Sequence, residues 1–444
     1  MTTSEASPAV RRLDEWDAGR LQALVADYGS PLYVLDLDRV RENYARLDAA
    51  FPAAEIYYAL KANALGATLT TIYEAGAGLE CASAGELERA LVAAGDGTAV
   101  HYTAVNPPAA DLDRAVASWR DNPELTITAG AEDTIDRLAD RGYDGRLCLR
   151  VNPGIGAGHH EKVQTGAQPK FGVPIERAVE VLTDAANRGF DTVGVHAHVG
   201  SGVSNDQLEA HREFVARMGS LAKDADAALA AAGHSGLEFV DVGGGFGVPY
   251  REDEAPLDLD AVADTTRESI GEIDATLAIE PGRYFVADAG VLLTEVNTVK
   301  DARETTVVGV DAGMTTLARP AIYGSYHPIR NLTAETAIAE SVDAPPRGTM
   351  AQTVSGPICE SGDVFCTDRE LPASERGDVL AIGNAGAYGY EMASQYNSRP
   401  RPASVVLDEG AVRRSRRRET IADVTRTERE AGEETTTAQH EERR

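Results

Sequence analysis

With 444 residues, 43% of them hydrophobic, the chain can bury a large core and is long enough for more than one domain, and it shows no run apolar enough to span a membrane. Its 42 basic and 71 acidic residues give a net charge of −29, which speaks against nucleic acid and anionic membranes as partners. Only five basic residues are lysines. Such acidity reads either as adaptation to high salt, where carboxylates keep the surface hydrated and salt screens their repulsion, or as an ordinary acidic protein.

The opening residues, Met1 to Pro8, are polar and lack an apolar core, so no secretory signal is expected and a cytoplasmic location is. Arg11 to Pro31 predicts a short helix and a turn, Leu32 to Leu35 a strand, and Asp36 to Ala50 an amphipathic helix. From there strand-like runs at 55–60, 79–81, 99–103, 125–128, 146–151, 192–198, 237–242 and 276–280 alternate with helical patterns such as Ala84 to Ala94 and Gln207 to Ala232. Eight strands in that rhythm predict a parallel (β/α)8 barrel of the TIM type, over 36–282. After Glu280 the rhythm breaks into strand-like runs at 291–296, 305–310, 352–354 and 379–382, which predict a C-terminal β domain over 283–408; residues 1–35 are expected to pack with it. The tail, 409–444, has balanced charges, an arginine cluster at 413–418 and almost no apolar residues, and is expected to be disordered.

Lys61 closes the first barrel strand, in Tyr57-Tyr58-Ala59-Leu60-Lys61-Ala62-Asn63. It could simply snorkel from a strand end. In an apolar, partly desolvated site its pKa would instead fall, making it nucleophilic enough to form a Schiff base with an aldehyde, which makes pyridoxal phosphate the cofactor to test for. Catalytic groups of a parallel barrel sit at the carboxyl ends of its strands. There also lie His196-Ala197-His198-Val199-Gly200-Ser201, Gly243-Gly244-Gly245-Phe246-Gly247 and Glu280-Pro281-Gly282-Arg283. One such histidine is more often structural and one triple glycine more often a turn; their convergence on one barrel face carries the weight. The glycines allow close approach of backbone N–H groups to a phosphate, His198 can stack on a pyridine ring, and Glu280 can keep the ring nitrogen protonated, so that the ring draws electrons from a decarboxylated carbon. Cys81, Cys148, Cys359 and Cys366 have no paired spacing, so neither disulfides nor a metal site are expected; Cys359 could be a small buried hydrophobe.

With these motifs in place, from about Pro31 to Leu407, the sequence resembles the fold-type III pyridoxal-phosphate decarboxylases, of alanine-racemase and ornithine-decarboxylase-like fold. Further carriers are Glu80 to Glu86, Lys162 to Gly166, Lys170-Phe171-Gly172, Arg319 to Tyr323, Gly356 to Asp363 and Ala387-Tyr388-Gly389. The resemblance implies the branch that converts meso-2,6-diaminopimelate to L-lysine and carbon dioxide, acting as a homodimer with shared active sites. By position it makes Lys61 the Schiff-base lysine and His198 the stacking residue. Ser201, Gly244, Gly245 and the loop Glu280, Pro281, Gly282, Arg283 would hold phosphate and ring, with Tyr388 touching cofactor and substrate. Arg283, Arg319 and Tyr323 would bind the distal carboxylate and Glu360 the distal ammonium. Cys359 would be the proton donor, supplied with Glu360 by the other subunit. Pro169 departs from the usual serine.

Arg319 and Glu360 together suit a substrate whose far end carries both charges. Ornithine or arginine decarboxylases should show Cys-Asp in place of Cys359-Glu360, and carboxynorspermidine decarboxylase is a further relative in chemistry. A racemase would favour a basic residue at position 280. A non-catalytic pyridoxal-phosphate carrier would lack the β domain with Cys359.

Overall fold

Strands buried on both faces are largely apolar, and such strands, interrupted by Glu80, His101, Arg150 and Asp241, build the centre of the computed structural model, which describes residues 9–95, 99–156, 168–200, 207–340 and 347–428. The chain enters through β1 (Leu32–Asp36), which belongs to a second sheet, and a helix, Leu37–Ala50, whose N-terminus is capped by the Asp36 carboxylate. Then come β2 (Glu55–Ala59), β3 (Gly78–Cys81), β4 (Val100–Tyr102), β5 (Thr126–Ala129), β6 (Arg146–Asn152), a two-residue β7 (Val173–Pro174), β8 (Asp191–His196), β9 (Phe239–Asp241) and β10 (Thr276–Ile279). Apart from β7, an appendage of β6, each strand pairs in parallel with its neighbours and β10 returns to β2, closing an eight-stranded barrel. Helices such as Ala84–Ala94, Ala109–Asp121 and Leu208–Ala232 lie between successive strands, and Leu69, Leu87, Leu112, Leu182 and Phe214 join the barrel strands in one buried core.

The second sheet holds β11 (Gly290–Ala302), β12 (Thr305–Val310), β13 (Ile329–Asn331), β14 (Thr349–Ser355), β15 (Val364–Pro372), β16 (Val379–Ile382), β17 (Ala403–Asp408) and β18 (Ala411–Arg416). Strand β1 lies antiparallel to β11 and parallel to β17. Leu13, Trp16 and Leu21 from the start of the chain pack on Val34, Val291 and Val405.

The expectation of disorder from residue 409 is corrected for the part described. β18 pairs antiparallel with β17, and the short helix Ile421–Val424 begins in a capping box of Thr420 and Asp423. The arginines make this possible by finding partners that the local sequence does not advertise. Arg416 lies 3.5 Å over the Tyr390 ring, and Arg401 holds Glu419 through Nε and Nη2 at 2.9 and 2.6 Å. Among the described residues, no helix is long and apolar enough to cross a membrane.

Candidate active site

At the carboxyl ends of the barrel strands lies a cavity of about 310 Å³, lined among others by Lys61, Glu80, Arg150, His198, Glu280, Arg283, Arg319 and Tyr388. Strand β2 ends in a single helical turn, Leu60–Ala62, that turns the Lys61 side chain into it. Lys61 Nζ lies 3.3 Å from Oε2 of Glu80, which is 2% exposed at the end of β3. Burial alone would lower the lysine's pKa, but Glu80, Tyr388 and Glu280 outweigh it and raise the pKa above the ordinary lysine value. The expected lowering is therefore corrected. The Lys61 side chain is 44% exposed to the cavity, its surroundings are polar, and the carboxylates favour the ammonium form. Burial in turn pushes the Glu80 carboxyl up to about 7, against the pull of Lys61.

Across the barrel, Glu280 follows β10 and accepts a hydrogen bond from His196 Nε2 at 3.1 Å. Burial lowers the pKa of His196 against the pull of Glu280. Glu280 and Asp241, at the end of β9, form a coupled buried pair. Burial and the neighbouring Glu280 raise Asp241 far above the carboxylate range, while Glu280 is held below its ordinary value against burial by His196 and Lys61. Of the two, Asp241 is pushed toward the protonated and Glu280 toward the charged form. Oε1 of Glu280 is buried without a hydrogen-bond partner among the described residues, as is Nε of Arg150 at the end of β6.

His198 accepts a hydrogen bond from the Gly244 N–H at Nδ1, 3.0 Å away. The glycine turn is dictated by crowding as well as by torsion. Gly243 has φ +71°, and a Cβ on Gly244 would press into the Glu280 carbonyl oxygen. A Cβ on Gly282 would come within 3.2 Å of the Cβ atoms of Ala59 and Ala62, so glycine there lets the Glu280 loop lie close to the Lys61 turn.

The opposite end of the cavity is cationic. Arg283 follows the Glu280 loop, and Arg319 opens a short helix, Arg319–Tyr323, of the β domain. The guanidinium carbon of Arg283 lies 4.9 Å, and that of Arg319 6.0 Å, from the Tyr388 ring centroid. Tyr388 adopts a left-handed backbone, φ 54°, and its N–H bonds to the Ala62 carbonyl at 2.8 Å. A non-glycine residue in that region has to be held by its surroundings. Tyr323 also lines the cavity.

Lys61, His198, Gly245, Glu280, Gly282, Arg283, Arg319, Tyr323 and Tyr388 are thus brought to one cavity, with Gly244 and Pro281 in the loops behind it. Ser201 and the Lys162 to Gly166 motif lie outside the described residues. Cys359 and Glu360 are not among the lining residues and lie exposed beyond β14, where Asn397 Nδ2 donates to Cys359 Sγ at 3.2 Å and the Tyr396 hydroxyl donates to Glu360 Oε1 at 2.6 Å. Sequence reasoning assigned no role to Glu80, Arg150, His196, Asp241 or Tyr250. Glu80 and His196 stood inside motifs already singled out. A charged residue inside an apolar strand, as Arg150 is in β6, was the remaining signal.

Residues 37–287 match the family described as pyridoxal-dependent decarboxylase, pyridoxal binding domain. The chain is 42% identical to the diaminopimelate decarboxylase of Methanothermobacter thermautotrophicus over 416 residues, 91% of this chain and 92% of that one. The chain belongs to the diaminopimelate decarboxylase family. The Escherichia coli K12 member is 36% identical over 422 residues, covering 92% and 96% of the two chains. Among solved structures, Helicobacter pylori diaminopimelate decarboxylase complexed with L-lysine superposes with a TM-score of 0.81 at 33% identity, covering 93% of this chain and 100% of that one. The family's cofactor is pyridoxal phosphate, and the residues present fit it. An amine for the aldehyde, a charged carboxylate with an oxygen unpartnered among the described residues for a ring nitrogen, and a glycine turn whose Gly245 offers backbone to a phosphate all line one cavity.

Proposed function

We propose that this protein is a pyridoxal-phosphate-dependent carboxy-lyase that removes one carboxylate of meso-2,6-diaminopimelate, releasing carbon dioxide and L-lysine. One observation carries the reading: a single cavity joins Lys61 and Glu280 at one end to the buried guanidiniums of Arg283 and Arg319 at the other. Lys61 would hold the cofactor's aldehyde carbon, Glu280 its ring nitrogen, His198 a ring face, and Gly244, Gly245 and Ser201 its phosphate, with Pro281 and Gly282 shaping the loop. When bound, the cofactor supplies an electron sink for the pair left at the α-carbon as carbon dioxide departs. Arg283, Arg319 and Tyr323 bind the carboxylate that is spared. Holding that end fixes which carboxylate faces the reacting carbon, an orienting effect worth several powers of ten in rate. Ornithine has no distal carboxylate and would leave Arg319 desolvated without an anion.

Cys359 and Glu360 are proposed to complete the site of a second copy, Cys359 giving the proton that replaces the lost carboxylate and Glu360 taking the distal ammonium. Their exposure on this chain, away from the cavity, supports the reading. Mixing Lys61→Ala with Cys359→Ala subunits should restore part of the activity in heterodimers; no recovery after demonstrated exchange would defeat shared sites. The cysteines, none of them in a disulfide and three buried, support a reducing cytoplasm, and the acidic, lysine-poor composition supports work in high salt. A melting temperature unchanged between dilute buffer and molar salt would remove the latter. The central test is turnover: purified protein with pyridoxal phosphate and meso-diaminopimelate should release equal amounts of carbon dioxide and L-lysine. Comparable activity on ornithine would overturn the substrate assignment.

A further inference from the structure

Tyr250 lies on the loop after β9, at the seam between barrel and β domain. Its backbone is tied on both sides: its N–H donates to Glu254 Oε2 at 2.7 Å, and the preceding carbonyl, of Pro249, accepts from Asn384 Nδ2 at 3.0 Å. The buried His327 of the β domain meets its ring edge to face, centroids 5.2 Å apart. So anchored, the phenol accepts a hydrogen bond from Arg283 Nη1 at 2.7 Å, while the guanidinium carbon of Arg319 lies 5.2 Å from the ring centroid. Both guanidiniums therefore sit against the rings of Tyr250 and Tyr388. Arg319 is 3% exposed; it donates from Nη2 to Ser325 Oγ, and its Nε has no hydrogen-bond partner among the described residues.

Two buried cations side by side need stabilisation, and the usual solution is a carboxylate. A carboxylate here would neutralise them and compete with any anionic ligand. A phenol oxygen and aromatic faces stabilise guanidinium charge without cancelling it. We propose that Tyr250 is a positioning residue that holds Arg283 and Arg319 desolvated and oriented for the carboxylate of the ligand's far amino-acid head. The inference deepens the function proposed above and rests on it. The two arginines also draw the phenol's pKa below its ordinary value, although burial pushes it up.

The test uses Tyr250→Phe in the holoenzyme, which keeps the ring and removes the acceptor. The KM for meso-diaminopimelate and the inhibition constant of L-lysine should rise together, by about tenfold or more, as for loss of a hydrogen bond to a charged group. Inhibition by cadaverine, a diamine with no carboxylate, should stay within about twofold, with kcat and the visible spectrum of the bound cofactor essentially unchanged. Tyr250→Glu, which supplies the competing anion, should weaken L-lysine further while sparing cadaverine. Equal weakening of lysine and cadaverine, unchanged lysine binding, a fall in kcat at constant KM, or loss of cofactor or folding in Tyr250→Phe would each overturn the proposal. If the wild type fails to turn over diaminopimelate, lysine and cadaverine binding still decide the role of Tyr250, so the two failures are distinguishable.

Discussion

The two ends of the cavity bury charge by opposite means. At the Lys61 end every charge has a titratable neighbour: Lys61 beside Glu80, Glu280 beside His196 and an Asp241 whose pKa is raised. At the Arg319 end, aromatic rings and a phenol oxygen face the cations. Titratable neighbours let one end adjust its protonation around a resident group, whereas guanidiniums, which stay charged at any working pH, keep the other end ready for an anion that comes and goes.

The largest effect should come from deleting the amine. Lys61→Ala should lower kcat by on the order of 10⁴-fold or more and abolish borohydride fixation of the cofactor to the chain, read by mass spectrometry. Fixation at another lysine would show that the first end has been misread. Next comes Arg319→Ala, expected to lower kcat/KM by about 10³-fold while the bound cofactor keeps its absorption, since a site built for a charged group loses most when either partner is missing. If the absorption collapses with the activity, the two ends are not separable. Glu280→Gln keeps the shape and removes the charge. It should reduce kcat by about 10²-fold with KM for diaminopimelate little changed, the reverse of the Tyr250→Phe pattern. A change confined to KM would place Glu280 at the substrate end.

Much of this was legible in the sequence, because its cause is local. The eight barrel strands read as short β-rich runs alternating with helical patterns, and the structure puts them within about two residues of the expected bounds. The motifs at their carboxyl ends lie on one face because a parallel barrel puts them there. What escaped depends on partners far along the chain. β18 is built of arginines and reads as a solvated tail until Tyr390 and Asp408 are seen beneath it. β15 alternates polar and apolar residues too irregularly to announce itself beside β14. Tyr250 sits in a loop with no pattern, and its meaning comes only from two arginines 33 and 69 residues away. The direction of the Lys61 shift was missed for the same reason. A strand-end lysine is legible in sequence, but the carboxylate on the next strand is not.

The smallest expected effect calibrates the rest, by testing burial where no charged neighbour among the described residues contributes. His211, on the helix Leu208–Ala232, lies with Nε2 2.8 Å from Thr266 Oγ1. That hydroxyl already donates to the Val262 carbonyl at 2.7 Å, so its oxygen accepts and the histidine donates, as a neutral ring. Burial lowers its pKa to about 4. Since an unfolded histidine titrates near 6.5, the unfolded chain binds more protons between the two values. Stability from this group is therefore complete above about pH 6.5 and is lost as pH falls toward 4. At about 1.4 kcal/mol per pH unit the loss reaches at most about 3 kcal/mol. His211→Gln can still donate to Thr266 but cannot be protonated. Its holoenzyme should melt slightly below the wild type at pH 7, and the gap should close or invert by pH 4.5. A gap constant with pH would mean that His211 titrates as it does in water, and that burial alone shifts the groups lining the cavity less than argued above.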